Sequence, residues 1–249
     1  MGWAQNGEWQ VYNTANTGLP DNSVYGIAVD ESNYKWIGTS RGLAVFDDVR
    51  WKVYNTTNSG LPDDIIWVIA IDQAGTKWIG TETGLAKFIH NKDKDSIWTI
   101  YNTSNSGLPG NNVKSIAFDQ TGSLWVGTAN GLGKFDPVKQ VWIVYDKLNS
   151  ALNDNTIWSI AVDKDNVKWI GSGSGLVEIS LNGQDWKVYD LSNSKLPDYT
   201  VTSIAVDNNN VKWIGTDGGG LVKYDGKNWI VYNASNSGLP DNTVTSIAI

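Results

Sequence analysis

The sequence predicts an all-β fold: a β-propeller of four-stranded antiparallel blades, with five complete repeats and a partial sixth made from the two termini. Three observations carry this. A Trp-Ile/Val-Gly motif recurs at Trp36, Trp78, Trp125, Trp169 and Trp213, at separations of 42, 47, 44 and 44 residues, which is the period of one four-stranded blade. Short apolar runs alternate with turns containing Gly, Asn and Asp, the punctuation of consecutive hairpins. No stretch sustains the 3.6-residue apolar period of an amphipathic helix.

Within each repeat the four strands are labelled A to D in chain order, innermost first. Strand A, as in Val24-Tyr25-Gly26-Ile27-Ala28-Val29, is apolar and β-branched, which fits a strand packed on both faces. The Asp that closes it (Asp30, Asp72, Asp119, Asp163, Asp207) is followed three residues later by Asn33, Gly75, Gly122, Asn166 or Asn210. Gly and Asn tolerate a left-handed backbone, so this position predicts the positive-φ corner of a tight A–B hairpin, with the Asp side chain accepting from turn N–H groups. Strand B carries the motif Trp. Strand C begins at Gly42, Gly84, Gly131, Gly175 or Gly220, a glycine at a hairpin exit. Strand D begins with Trp9, Trp51, Trp98, Trp142, Trp186 or Trp229 and ends at a Tyr three residues later. Each blade must bury both faces against its neighbours, and large flat aromatics cover that area well.

The repeat cores lie near 24–54, 66–101, 113–145, 157–189 and 201–232, with partial repeats at 3–12 and 244–249, and together predict a single propeller domain over 1–249. The ends do not match a simple ring, because residues 4–29 and 223–249 encode the same D-loop-A segment. Either the termini meet in a short sixth blade or one terminal segment is left over. A left-over apolar strand at Val244 to Ile249 would expose unpaired backbone groups, so self-association through terminal strands is expected, or else a native protein that continues beyond Ile249.

Composition narrows the function classes. The 249 residues carry a net charge of −7, the wrong sign for phosphate-backbone affinity, so no nucleic-acid partner is expected. Cysteine is absent, which removes disulfides, thiolate metal sites and thiol nucleophiles. No run of about 18 apolar residues occurs, so this chain is not expected to insert into a membrane.

Several segments together carry a family resemblance: Asn-Ser-Gly-Leu-Pro-Asp-Asn at 236–242, Ser-Ile-Ala-Val-Asp at 203–207, Lys-Trp-Ile-Gly-Thr at 212–216 and Gly-Leu-Val-Lys-Tyr at 220–224. The chain resembles the two-component regulator propeller repeat family over essentially its whole length. The resemblance implies an extracytoplasmic (periplasmic or secreted) sensor module of a bacterial regulator that responds to glycans, usually placed before a membrane helix and a kinase. This chain departs from that pattern in having fewer blades and no membrane-helix, kinase or helix-turn-helix segment.

Comparing the repeats with one another isolates what varies on a constant scaffold. At the second residue of strand A stand Tyr25, Trp67, Lys114, Trp158, Thr202 and Thr245; the B–C turns, on the same face, offer Ser40 and Arg41, Glu82 and Thr83, Ala129 and Asn130, Gly173 and Ser174, and Asp217 and Gly218. Aromatic plates flanked by hydrogen-bonding groups suit a saccharide or another flat amphipathic ligand. The candidate ligand-binding residues are therefore Tyr25, Trp67, Lys114, Trp158, Thr202, Arg41, Glu82, Asn130, Ser174 and Asp217. The competing reading is that these aromatics pack beneath their own loops.

Catalysis finds little footing. His90, the single histidine, falls in the C–D connection on the opposite face, so a Ser-His-Asp relay has no base where it would be needed. A distant similarity to streptogramin-lyase-like propellers implies histidine near a metal, which this face does not offer. Asp163-Lys164-Asp165-Asn166 and Asp207-Asn208-Asn209-Asn210 lack the sixth-position Gly and twelfth-position Glu of a calcium loop. No catalytic residue, metal or cofactor is expected. The leading expectation is a non-enzymatic ligand-recognition or sensor module, with a small ligand or glycan as partner. The alternative is a purely structural or assembly propeller, and an enzyme with acidic residues at the channel ranks last.

Overall fold

Each repeat folds into one four-stranded antiparallel sheet. In the structure, a computed structural model, residues 4–5, 8–90 and 96–249 are described, and they form two units: Met1–Asn102 with Asn111–Val113, and Thr103–Gly110 with Lys114–Ile249. The first unit holds two sheets. The first blade is Val24–Val29, Lys35–Thr39, Gly42–Phe46 and Trp51–Tyr54; the second is Ile66–Ile71, Lys77–Thr81, Leu85–Ile89 and Ile97–Tyr101. The second unit holds three more sheets, whose A strands are Val113–Phe118, Ile157–Val162 and Val201–Val206. In each of these five sheets the strands lie in the order A-B-C-D. Among the described residues there is no helix, and the five sheets are propeller blades.

The A–B corners form as their sequence dictates. Asn33, Asn166 and Asn210 have φ of 64°, 59° and 64°, and Gly75 and Gly122 have 77° and 79°. At each corner one Asp oxygen accepts two turn N–H groups, as Asp163 Oδ1 does from Asp165 and Val167 at 3.0 and 2.9 Å. The other oxygen accepts the indole N–H of strand B: Trp36 on Asp30 at 3.0 Å, Trp78 on Asp72 at 3.1 Å, Trp125 on Asp119 at 2.9 Å, Trp169 on Asp163 at 3.0 Å and Trp213 on Asp207 at 3.2 Å. The repeated Asp thus fixes both the hairpin and its tryptophan.

The core lies between neighbouring sheets. In the first unit Trp36, Leu43, Ile66, Ile79 and Phe88 share one buried cluster; in the second, Trp169, Leu176, Val201, Ile204 and Ile214 do the same. In three places a lysine from strand B of the following blade ties the joint, whereas strand B of the third blade begins with Leu124. Lys77 Nζ stands 3.0 Å from Asp30 Oδ2 and 4.8 Å over the Trp36 ring. Lys212 stands 3.0 Å from Asp163 and 4.8 Å over Trp169, and Lys168 lies 3.9 Å from Asp119 and 5.6 Å over Trp125. Burial works to raise the carboxyl of Asp163, but the bonds from Trp169, Lys212 and the Val167 peptide overcome it and hold the group below the usual carboxylate range. Burial lowers the Lys168 ammonium against the opposing pull of Asp119.

The two ends differ from the strands expected of them. At the N-terminus Glu8–Trp9 pairs with Ala4–Gln5 in a separate two-stranded sheet. Tyr12 packs 6.2 Å from Phe46 and 6.3 Å from Trp51, as strand-D Tyr54 packs on Phe88 and Trp98 of the second blade. At the C-terminus residues 244–249 form no strand. Val244 instead donates its N–H to Thr216 O at 2.9 Å, and Thr243 bridges Asp217. Without a B strand to pair with, strand A of a sixth repeat has no ladder to join. Of the C–D connection of the second blade, residues 91–95 lie outside the described residues; His90 is exposed, with Ser96 Oγ 3.3 Å from its Nδ1.

Candidate ligand-binding face

The A–B ladder slips by one residue at the start of strand A in four blades: between Val24 and Gly26, Ile66 and Val68, Ile157 and Ser159, and Val201 and Ser203. The residue skipped by the ladder is Tyr25, Trp67, Trp158 or Thr202. A bulge bends the strand and re-aims the side chain of its extra residue, so the variable second position of strand A is the one released from sheet packing. Tyr25 is 46% exposed and Trp158 39% exposed.

In the first unit Tyr25 and Trp67 face one another with ring centroids 4.7 Å apart, and Trp67 Nε1 donates to Glu82 Oε2 at 2.8 Å. Arg41 Nε lies 3.5 Å from Asp21 Oδ2. The Ser23 N–H, the Ser40 hydroxyl and Arg41 together hold the Asp21 carboxyl below its ordinary value. In the second unit the Lys114 ammonium sits 4.3 Å from the centre of the Trp158 ring, a cation–π contact. The remaining predicted residues each engage their own blade. Ser174 Oγ reaches Asp154 at 3.4 Å and its carbonyl accepts from Asn153 at 2.6 Å; the Asn130 N–H donates to Thr128 at 3.1 Å; Asp217 N donates to Thr200 O at 3.1 Å. Thr202 Oγ1 donates to Val244 O at 2.5 Å. The D–A loops and B–C turns of a blade are therefore neighbours, and the ten residues fall into two aromatic groups and a set of turn positions.

Tyr199 is a residue that comparison of the strands overlooks. In other D–A loops the equivalent position is an Asn or Asp that caps the loop: Asn22 accepts from Thr14 at 2.9 Å, Asp64 from Thr56 at 2.7 Å and Asn155 from Lys147 at 2.9 Å. The fifth blade places an aromatic there instead, 60% exposed on the same face. Aligning the loops rather than the strands would have revealed it. Among the described residues no three His, Asp or Glu side chains stand together as a metal site.

Residues 107–130 match the sequence profile of the two component regulator propeller. That window, from Gly107-Leu108-Pro109 through Trp125 to Asn130, recurs without insertion at 18–41, 60–83, 151–174 and 195–218. Over 98% of its length the chain is similar to the extracellular domain of a hybrid two component system from B. thetaiotaomicron, with 27% identity and a TM-score of 0.84, and it spans 33% of that chain. It also shares its fold with virginiamycin B lyase from Staphylococcus aureus (17% identity, 89% of this chain and 72% of that one, TM-score 0.69). PorZ, a surface component of the type-IX secretion system of Porphyromonas gingivalis, is a further fold relative (19% identity, 98% and 46%, TM-score 0.54). At those identities the last two likenesses concern the fold alone. No curated protein sequence matches the chain. The match to the two component regulator propeller thus covers one repeat, and the spacing of that window is kept in the other four.

Proposed function

We propose that the chain is a non-enzymatic ligand-recognition module, the extracytoplasmic sensor part of a regulator, and that it binds a small ligand, a glycan, on the face carrying the D–A loops and B–C turns. The observation that carries this reading is the bulge at the start of strand A. It sets Tyr25, Trp67 and Trp158 at positions where the repeat itself asks for no aromatic, and leaves Tyr25 and Trp158 partly open to solvent. Aromatic plates beside Glu82 and Lys114, on the face whose turns also carry Arg41 and Ser174, suit a sugar, whose C–H face stacks while its hydroxyls take directional bonds. The likeness to an extracellular domain of a two component system supports the compartment and the sensing role.

A structural or assembly role is the second reading, and it too has an observation behind it: Trp67 already spends its N–H on Glu82, and Tyr25 already packs against Trp67 at a tilt. Titration calorimetry of the chain against an oligosaccharide panel, with Trp158→Ala and Trp67→Ala alongside, separates the two. Recognition requires a saturable ligand whose affinity falls about tenfold or more in these variants, equivalent to roughly 1.4 kcal/mol. If no saccharide binds, and the two variants change thermal stability alone, the assembly reading stands and the sensor reading falls.

A further inference from the structure

The fourth blade departs from the others where its D–A loop meets its B–C turn. The other D–A loops carry Leu-Pro, as at 61–62 and 196–197, and the fourth has Leu152-Asn153; strand B ends in Thr39, Thr81, Thr128 or Thr216 elsewhere and in Ser172 here. The two changes belong together. Asn153 Nδ2 donates to Ser174 O at 2.6 Å, and its Oδ1 accepts from Ser172 Oγ at 2.9 Å. A proline side chain supplies neither bond, so in this blade a carboxamide ties the loop to the turn.

The turn so held is cut back beside Trp158. Ile157 pairs with Ser172 and Ser159 with Gly171, and the Gly173 N–H donates to Thr156 O at 3.2 Å, so the bulged tryptophan leaves the sheet next to this turn. In the second blade the residue after Thr81 is Glu82, which accepts the Trp67 indole N–H at 2.8 Å. The fourth blade puts Gly173 at that position. Among the described residues nothing accepts from the Trp158 indole N–H, although the side chain is partly exposed and the Lys114 ammonium steadies it from 4.3 Å over the ring. Asp154 borders the same space: a Cβ on Gly173 would lie 3.4 Å from its Oδ1. That oxygen accepts the Thr156 N–H at 2.6 Å, while Oδ2 has the Ser174 hydroxyl at 3.4 Å and room for a closer donor.

We propose that this gap in the fourth blade is the subsite that orients the sugar, and that it admits a neutral pyranoside through two adjacent hydroxyls. One hydroxyl accepts from Trp158 Nε1–H, the other donates to Asp154 Oδ2, and the C–H face of the ring lies on the open side of the indole. The proposal rests on the glycan reading above and adds which sugars are admitted. A hydroxyl both donates and accepts, so a vicinal diol satisfies the indole and the carboxylate together. A uronate carboxylate offers acceptors alone, leaves Asp154 without a donor and meets its charge with a like one. A site built to hydrogen-bond a hydroxyl rejects an analogue that leaves its polar groups unpaired, which makes Asp154 the selecting group. Asn153 and Ser172 are positioning residues: they hold the turn that carries Gly173 and Ser174.

Titration calorimetry of the intact chain, with indole N–H NMR on the same samples, tests this against cellotetraose, mannotetraose and xylotetraose as neutral probes and tetragalacturonate as the acidic one. The Trp158 signal is assigned by its loss in Trp158→Phe. At least one neutral probe should bind and move that signal, and tetragalacturonate should bind at least about tenfold more weakly. Trp158→Phe keeps a ring and removes the donor; Gly173→Gln restores an acceptor where the second blade has Glu82. Each should weaken neutral binding about tenfold, whereas Gly173→Ala adds a methyl alone and should stay within about threefold of wild type. Gly173 lies outside the positive-φ region and its Cβ would make ordinary contacts, so both replacements fit the turn, as circular dichroism would verify. Neutral binding that survives Trp158→Phe, or a preference for tetragalacturonate, overturns the subsite and leaves the glycan reading standing. A wild type that binds none of the probes takes both down.

Discussion

The joint between the fourth and fifth blades and the open face of the first blade are made from the same residues and differ in what covers them. At the joint, Asp163 binds two turn peptides, the Trp169 indole and the Lys212 ammonium, and its side chain is 2% exposed. At the open face, Lys35 makes a surface pair with Asp48, whose side chain is 54% exposed. The same repeat residue is thus a buried tie in one place and a solvated charge in another. Stability in such an array is the sum of what each blade makes internally and what it shares with its neighbour, so equivalent substitutions should have unequal effects.

The largest difference should come from the carboxylate. Asp163→Ala removes the hairpin cap and leaves Lys212 and the Trp169 N–H without a partner away from water, which should cost about 3 kcal/mol or more. Lys35→Ala removes an exposed pair and should change stability by less than about 1 kcal/mol. Urea unfolding of the two variants measures both. The carboxylate also sets a pH dependence. Asp163, Asp119 and Asp30 are each held below the ordinary value in the folded chain, against burial, chiefly by bonds from Trp and by Lys or hydroxyl partners. A carboxyl whose folded value is depressed contributes stability that is present above its unfolded value, near 4, and is lost as pH falls through the folded value. Melting temperature should therefore drop steeply below about pH 4, and Asp163→Asn should blunt that drop while lowering stability at neutral pH.

Next in size is the packing of loop against strand D. Gly107, in the loop before the third blade, faces Trp142: a Cβ there would come 2.4 Å from the tryptophan Cβ. Gly107→Ala should force the tryptophan outward at a cost of about 1–3 kcal/mol. Ala151 occupies the equivalent place before the fourth blade, so a joint can be built around a methyl and the loss should not exceed that range. Thermal melts of the single variant decide it; an unchanged midpoint would mean the loop yields without resistance.

The sequence made the blades, their strand order and the five corners legible because these rest on local rules: a period, a hairpin and a residue that accepts positive φ. What joins one blade to the next was much less so. The lysine before the motif tryptophan reads as an ordinary polar start to strand B, and only the folded chain shows it crossing to the Asp of the preceding repeat, 47 residues earlier in Lys77 to Asp30 and 49 in Lys212 to Asp163. The candidate face was half legible. Variation among repeats pointed to Tyr25, Trp67 and Trp158, but the bulge that frees them is a register shift that composition does not encode. Nor does the pattern of strands disclose Tyr199, which stands in a loop.

The corner asparagines show the same division. Positive φ at Asn166 suggests that glycine would serve equally well, since it adopts that backbone without strain. Yet Asn166 Oδ1 also accepts the backbone N–H of Gln120 from the neighbouring blade at 2.9 Å, and Asn166 is 3% exposed. Asn166→Gly should therefore destabilise by about 1 kcal/mol through the orphaned amide. Asn33→Gly, on the open first blade, surrenders one solvent-exposed bond to Asp48 and should lie within about 0.5 kcal/mol of wild type. Equal losses at the two corners would show that the cross-blade bond contributes nothing.

The smallest effect expected is a gain, and it lies at the tail. Gly238 occupies the loop position of Gly107 and Gly60, where a Cβ would collide with the next blade's tryptophan. At Gly238 a Cβ would meet nothing within 4 Å, and its backbone lies outside the positive-φ region. With no clash and no strained backbone, alanine acts mainly by narrowing the conformations of the unfolded chain, which favours the folded state by about 0.4–1 kcal/mol. Gly238→Ala should raise the urea midpoint slightly while Gly107→Ala lowers it. The sign of the difference between these two variants, measured side by side, reports whether a strand-D tryptophan packs on the tail loop. A loss at Gly238 as large as that at Gly107 would mean that a side chain does pack on this loop in solution.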